Sequence, residues 1–384
     1  MTDTTGTTGT TGRAGLEGAP GTASADPTGT LDEALERLHA AGPERNGWLS
    51  NHGPMAVEAL VRHGQAPAVH RWLDHYSHKL EDMPAPAVRV TAENWHEALG
   101  DPRRIADWTM YFERETAGRP WQDVLTEWWP RLLPGIAAGA THPVIRVGHA
   151  VRTLLDGEAN APRIAELAHG LGYWAARHQP LPALNPPASL VPAPSAAAAL
   201  DAVPPVADQT GGIRDRLAQL TVFPLWPQQF ADDPDVARAR LAELVRAATH
   251  RYATHGHGAP IMLVHAATAP NAVLRTLPAL PRELWGQSLA AAWAASAAVT
   301  AAYSPADPVP CTASPSAPSA DEIFARAAAH GDDHTIKFTD TALDVGDTTA
   351  LAAALRSIEL NPPALSPLSR TAPIASRAPS RTRR

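Results

Sequence analysis

A single cysteine, Cys311, stands in 384 residues, which excludes an internal disulfide and suits a reducing compartment. Lysine is almost as scarce. Of 32 Lys plus Arg only Lys79 and Lys337 are lysine, and the rest are arginine. The charge balance is acidic, −7 with pI near 6.2, which argues against a nucleic-acid-binding body. The longest small-apolar run, Ser288 to Tyr303, falls short of the roughly 20 residues of a spanning helix. The Thr/Gly-rich start lacks the apolar stretch of a signal peptide. These absences predict a cytoplasmic protein with no membrane and no nucleic-acid partner. Missing too are a Gly-x-Gly-x-x-Gly after a strand, a Walker loop and a Gly-x-Ser-x-Gly elbow.

What is present predicts a mostly α fold, one large helical domain with Pro-rich connections and disordered termini. Apolar content of 44% supports a real core. Leu31, Leu35 and Leu38 recur at helical spacing behind a Thr30 N-cap, and helical runs follow along the chain to Ile358. Residues 1–28 and 360–384 carry little that could be buried, so both read as disordered tails; the second holds five arginines. Between them 29–359 reads as the folded body, interrupted by Pro-rich connections at 180–210 and 305–319. Strand signals are few. Asn46-Gly47 marks a turn, but it lies outside any pair of apolar runs and so predicts no hairpin.

Lys337 sits between Ile336 and Phe338 in Asp333-His334-Thr335-Ile336-Lys337-Phe338. A buried ammonium there would be costly, and a desolvated lysine can lose its proton. Its neutral amine can act as a base or nucleophile, or capture carbon dioxide as a carbamate, which is a carboxylate-like metal ligand. The alternative is a lysine that snorkels to solvent.

Seventeen histidines accompany it. His39, His63, His75 and His96 read as polar helix faces, and His255-Gly256-His257-Gly258 as a loop. By apolar context or position beside a helix start, His52, His142, His149, His265 and His334 are the candidate metal ligands. On an ideal helix His142 and His149 lie about 10.5 Å apart on one side, near the limit for sharing one ion. The Glu-x-x-His pairs Glu36/His39, Glu93/His96 and Glu166/His169 match a di-iron pattern but read as exposed faces. Trp48, Trp72, Trp108 and Trp174 are candidates to stack on a flat aromatic ligand.

Four stretches together, Asn51-His52-Gly53-Pro54-Met55, His142-Pro143-Val144-Ile145-Arg146 running into Gly148-His149-Ala150, Val264-His265-Ala266-Ala267-Thr268 and Asp333-His334-Thr335-Ile336-Lys337, resemble the questin oxidase-like family. The resemblance implies an oxygenase that cleaves polycyclic aromatic ketones such as anthraquinones, by Baeyer–Villiger-type oxidation in fungal polyketide pathways. It also implies a mononuclear non-haem iron held by four histidines and a carboxylated lysine. Here the lysine is Lys337, and the four histidines come from the five candidates, with His334 the one to stand behind the ligands rather than among them. Partners would be a small aromatic substrate and dioxygen, with NADPH as a candidate electron donor. The chain departs from the family pattern at Gly53, where a larger apolar residue is expected, and in its Pro-rich insertions. Two other readings remain: a metal-free, NADPH-assisted oxidase using Lys337 and His334 as acid and base, and a helical binding protein with a Trp-lined pocket.

Overall fold

Helix boundaries follow the chain's punctuation. Pro54, Pro143, Pro162, Pro234 and Pro260 each stand in the first turn of a helix, where a missing N–H leaves no bond unmade. Gly331 and Gly346 close two helices in the left-handed conformation (φ 77° and 74°) that glycine adopts without strain.

The computed structural model describes residues 27–182, 184, 191–226, 232–311 and 318–365. In its first half come α1 (Pro27–His39), strands β1 (Ala41–Arg45) and β2 (Leu49–Ser50), α2 (Gly53–Arg62), α3 (Val69–Tyr76), strand β3 (Leu80–Asp82), α4 (Trp95–Ala98), α5 (Ile105–Gly118), α6 (Trp121–Leu132), α7 (His142–Asp156) and α8 (Ala161–Arg177). The second half adds α9 (Ala196–Asp201), α10 (Ile213–Leu217), α11 (Pro234–His255), α12 (Pro260–Leu263), α13 (His265–Thr276), α14 (Trp285–Tyr303), α15 (Ala320–His330), α16 (Asp333–Val345) and α17 (Thr348–Leu360). The chain is thus mostly α, a single helical domain. None of the described helices is long and apolar enough to cross a membrane.

At the centre, α7 packs between α8 and α13, while α16 packs on α2, α13 and α17. The α7–α13 crossing is close because Gly148 faces Ala272: a Cβ at 148 would come within 2.5 Å of the Ala272 Cβ and 2.6 Å of its Cα. Gly53 is explained in the same way. A Cβ there would strike Leu38 at 2.5 Å, so the space that a larger residue would take is filled from α1.

Three expectations need correction. A small antiparallel sheet, β2-β1-β3, forms beside α3, and Asn46 (φ 52°) and Gly47 (φ 84°) do make a hairpin turn. Its strands are polar, Glu44-Arg45 facing Leu49-Ser50, so alternation carried no signal. Glu166 and His169 are buried rather than exposed: Arg146 clamps the Glu166 carboxylate with Nε and Nη2 at 2.6 and 2.7 Å, and His39 adds a contact at 3.0 Å. Finally, α1 starts at Pro27, ahead of the expected Thr30 cap.

Of the expected tail 1–28, residues 1–26 lie outside the described residues and 27–28 open α1; most of 360–384 also lies outside them, as do 183, 185–190 and 312–317 of the two Pro-rich connections. The described part of the first connection packs, with Ala196, Ala199, Leu200 and Val203 buried. Residues 364 and 365 donate their backbone N–H groups to the His330 carbonyl.

Two predictions follow from this packing. Gly148→Ala should lower stability by about 1–3 kcal/mol in chemical denaturation, because the added methyl meets backbone. Burial alone would raise the Glu166 carboxyl, but Arg146 and His39 overcome it and hold it at about 2, below the ordinary 4.5. The pair's stabilisation is therefore complete above pH 4.5 and is lost as pH falls toward 2, by about 3 kcal/mol. Glu166→Gln should flatten this acid limb when the two proteins' denaturation curves are compared across that range.

Candidate metal centre

Four histidines meet where α2, α7, α13 and α16 begin. Each helix start is built to hold one. His52 caps α2; Asn51 locks the turn by donating to the Gly42 carbonyl and accepting the Gly53 N–H, and the His52 N–H donates to the Tyr76 hydroxyl at 2.7 Å. His142 follows three consecutive left-handed residues, Gly139, Ala140 and Thr141 (φ 50°, 56° and 69°). The two non-glycines each cost about 1–2 kcal/mol there. The strained turn brings the Gly139 carbonyl to the imidazole of His142. His265 opens α13, whose Pro270 cannot donate to the Ala266 carbonyl; the Ser296 hydroxyl donates to that oxygen instead, at 2.7 Å. His334 lies in the first turn of α16, behind the Asp332 cap.

The four rings form one buried group. Ring centroids are 4.4 Å apart for His52–His142 and His142–His265, 4.5 Å for His52–His334 and 5.5 Å for His265–His334. The Nδ1 sides are all occupied by oxygen. His142 Nδ1 donates to Gly139 O at 2.6 Å, His265 Nδ1 to Met262 O at 2.9 Å and His52 Nδ1 to Asp333 Oδ1 at 2.5 Å. His334 Nδ1 lies 2.7 Å from the same Asp333 oxygen. With the proton on Nδ1, each Nε2 keeps its lone pair. The Nε2 atoms of His142 and His265 face each other at 2.9 Å. Two lone pairs at that distance repel unless a cation lies against both.

A proton is a poor choice for that cation. Burial pushes His52, His142 and His265 well below the ordinary value of 6.5, and the nearby Lys337 amine pushes in the same direction. Burial also pulls Lys337 itself down to about 8, and its Nζ is buried without a hydrogen-bond partner. Asp333 is held well below the carboxylate range: burial would raise it, but His52 and His334 outweigh that. Imidazoles fixed through Nδ1 by carbonyls and a carboxylate, with free Nε2 atoms, are the usual outer arrangement of histidine metal ligands. An orphaned amine one helical turn from His334 adds a place for an anionic ligand. These residues fit a metal ion.

His149 does not join them. It belongs to a second layer, two turns farther along α7, where its Nδ1 lies 2.6 Å from Glu58 Oε2. Arg152 spans Glu58 and Asp340, and Arg275 and His63 complete the charge around Asp340. The layers repeat element by element: His52 and Glu58 on α2, His142 and His149 on α7, His334 and Asp340 on α16. Sharing a side of α7 is therefore not sharing a site, because the neighbouring helices supply different residues at each level. Glu58, His149 and Asp340 lie close enough to hold an ion, but Arg152 already bridges both carboxylates. Sequence reasoning missed Glu58, Arg152, Asp340 and the role of Asp333; the available signal was charge inside apolar helical runs.

A cavity of about 550 Å³ opens onto this centre, with His52, His142, His334 and Asp333 in its wall. Trp48, Trp72, Tyr76 and Tyr173 supply aromatic surface. Trp108 and Trp174 do not reach it; they are core, with their indole N–H groups donated to the carbonyls of Ala98 and Gly135. His75, expected on a polar face, also lines the cavity.

An unpartnered buried amine is a stability defect in the metal-free protein. Lys337→Met, similar in length and apolar, should raise the stability of chelator-treated protein by about 1–3 kcal/mol in denaturation. No rise would mean that Nζ finds a partner in solution. Against known proteins, no curated sequence matches the chain. A family model does, over residues 49–341, which span all four histidines and Lys337. Its description is questin oxidase-like, which points to an oxidase acting on anthraquinone-like compounds, and on this match the chain belongs to the questin oxidase-like family.

Proposed function

We propose that the protein is an iron-dependent oxygenase that oxidatively opens a ring of a polycyclic aromatic ketone of the anthraquinone type. In this reading His52, His142, His265, His334 and a carbamate on Lys337 hold the metal. The observation that carries it is the pair of Nε2 atoms facing at 2.9 Å, with the orphaned Lys337 amine one helical turn from His334, behind the histidine wall of an aromatic-lined cavity. Four neutral imidazoles and one anionic oxygen donor suit iron among the common metals.

Each residue then has a task. The lowered basicity of Lys337 leaves a useful fraction of neutral amine near neutral pH. Its lone pair attacks the carbon of carbon dioxide, and one proton leaves to solvent as the carbamate forms. Asp333 holds His52 and faces His334, and the Gly139 and Met262 carbonyls hold His142 and His265, so ligand orientation is set before any ion arrives. The flat substrate lies against Trp48, Trp72 and the tyrosines, with its reacting carbon toward the histidine wall. The apolar core behind keeps water from the reacting centre. Bound iron would supply dioxygen binding and the one-electron steps that a closed-shell ketone needs to react with it.

Electron balance separates two forms of the reaction. Mono-oxygenation sends one oxygen atom to the product and one to water, and needs two electrons from a donor such as NADPH. Dioxygenation sends both to the product and needs none.

Metal analysis of the purified protein should give about one iron per chain. Lys337→Ala should lose iron and reduce turnover of an anthraquinone by roughly 100-fold or more, with partial recovery in acetate or formate. Full activity after chelation would overturn the proposal in favour of metal-free acid–base work by Lys337 and His334. His149→Ala should keep its iron while losing stability, because its partners are Glu58 and Arg152.

A further inference from the structure

The cavity wall holds cations that no carboxylate contacts. Among its lining residues, Asp333 is engaged by the neutral rings of His52 and His334 and Asp332 by the Thr335 N–H and hydroxyl, so both keep their charge, while Arg177 is paired with Glu44. Three cations remain: Arg45 at the end of β1, Lys79 after α3, and Arg214 in α10. Among the described residues none of the three has an ion-pair partner. Elsewhere the chain pairs its arginines freely, often in bidentate fashion, as in Arg146–Glu166 and Arg177–Glu44.

Arg45 carries the clearest sign of a missing partner. Its Nε is buried and has no hydrogen-bond partner. Beside it in the cavity wall stands Tyr76, whose hydroxyl oxygen accepts the His52 N–H at 2.7 Å. The Tyr76 oxygen serves there as acceptor, which leaves its own proton to be donated. Lys79 Nζ stands 5.6 Å over the Tyr76 ring. Two cations and a phenol donor thus share one stretch of the cavity wall, and the phenol touches His52 directly. A desolvated guanidinium nitrogen facing a cavity is costly unless an acceptor arrives with the ligand.

We propose that Arg45, Tyr76 and Lys79 form an oxyanion subsite, and that the natural substrate is an anionic polycyclic aromatic bearing an ionised phenol or carboxylate. The subsite fixes which edge of the flat ring system turns toward His52, and so which ring is opened. Arg45 is a specificity-determining residue in this scheme. The small sheet explains its own presence in a helical protein: the β1–β2 hairpin and the β3 pairing hold the Arg45 backbone in place, with Arg45 opposite both Leu49 and Leu80. This inference rests on the reading of the cavity as a site for flat aromatics.

The test uses binding rather than turnover, followed by quenching of the tryptophan fluorescence in chelator-treated full-length protein. Two probe pairs separate the sources of the negative charge: anthraquinone-2-carboxylate against its methyl ester, and an ionised hydroxyanthraquinone against its methyl ether. At least one anion should bind tenfold or more tightly than its neutral partner, and which pair responds identifies the group. Arg45→Gln should remove most of that preference and leave binding of the neutral probe unchanged, while Arg45→Lys should keep part of it. Equal binding within both pairs, or equal loss of anion and neutral probe in Arg45→Gln, overturns the subsite. Turnover of a neutral anthraquinone without charge preference overturns the subsite and leaves the oxygenase reading standing. A charge preference in protein that oxidises nothing supports the subsite and counts against the oxygenase.

Discussion

Two imidazole nitrogens with free lone pairs, held 2.9 Å apart inside an apolar helical core, set the terms for the rest of the molecule. The arrangement is unfavourable by itself, and it persists because each ring is tied on its far side. Carbonyl oxygens hold His142 and His265, and one carboxylate serves His52 and faces His334. The strained turn at 139–141 and the proline-bearing start of α13 keep those carbonyls where they are needed. Local cost is thus concentrated at one place, as is common where a protein prepares a site before its ligand arrives.

Rigidity around that place comes from a second buried layer. Glu58, His149, Arg152, Asp340 and Arg275 link α2, α7, α13 and α16 through charge-assisted bonds two turns away from the histidines. Breaking one member would leave its partner charged and unpaired in the core, so the layer fixes the mutual position of all four helices. Gly148 against Ala272 then sets how near α7 and α13 approach, and hence how near His142 comes to His265. The cavity's aromatic and cationic wall comes largely from the small sheet, α3 and α10, and Tyr76 of α3 ties it to the centre by accepting the His52 N–H.

Much of this was legible. A near-absence of lysine made Lys337 conspicuous, and its apolar neighbours pointed to burial, which the structure bears out. Histidines beside helix starts drew attention to His52, His142 and His334, and an apolar run to His265. His149 stayed a candidate because a separation of about 10.5 Å from His142 lies near the limit for sharing one ion and not past it, and only the neighbouring helices decide between the two levels. Asp333 was visible as a residue but silent as a partner, since its contact with His52 spans 281 positions. The hairpin at Asn46-Gly47 was discounted because its strands are polar, their side chains serving a cavity wall rather than a core. Glu166 looked exposed because its partners, Arg146 and His39, lie on other helices.

By itself the sequence determined the helical class, the helix starts at its prolines, the stops at its glycines, and the short set of residues from which a metal centre could be drawn. These are local properties, governed by backbone conformation and by the cost of burying charge. Tertiary structure decided which members of that set meet, which of them serve a supporting layer instead, and which cations face the cavity unneutralised. Those outcomes depend on helix crossings between distant segments, where a two-turn difference in level exchanges one set of neighbours for another.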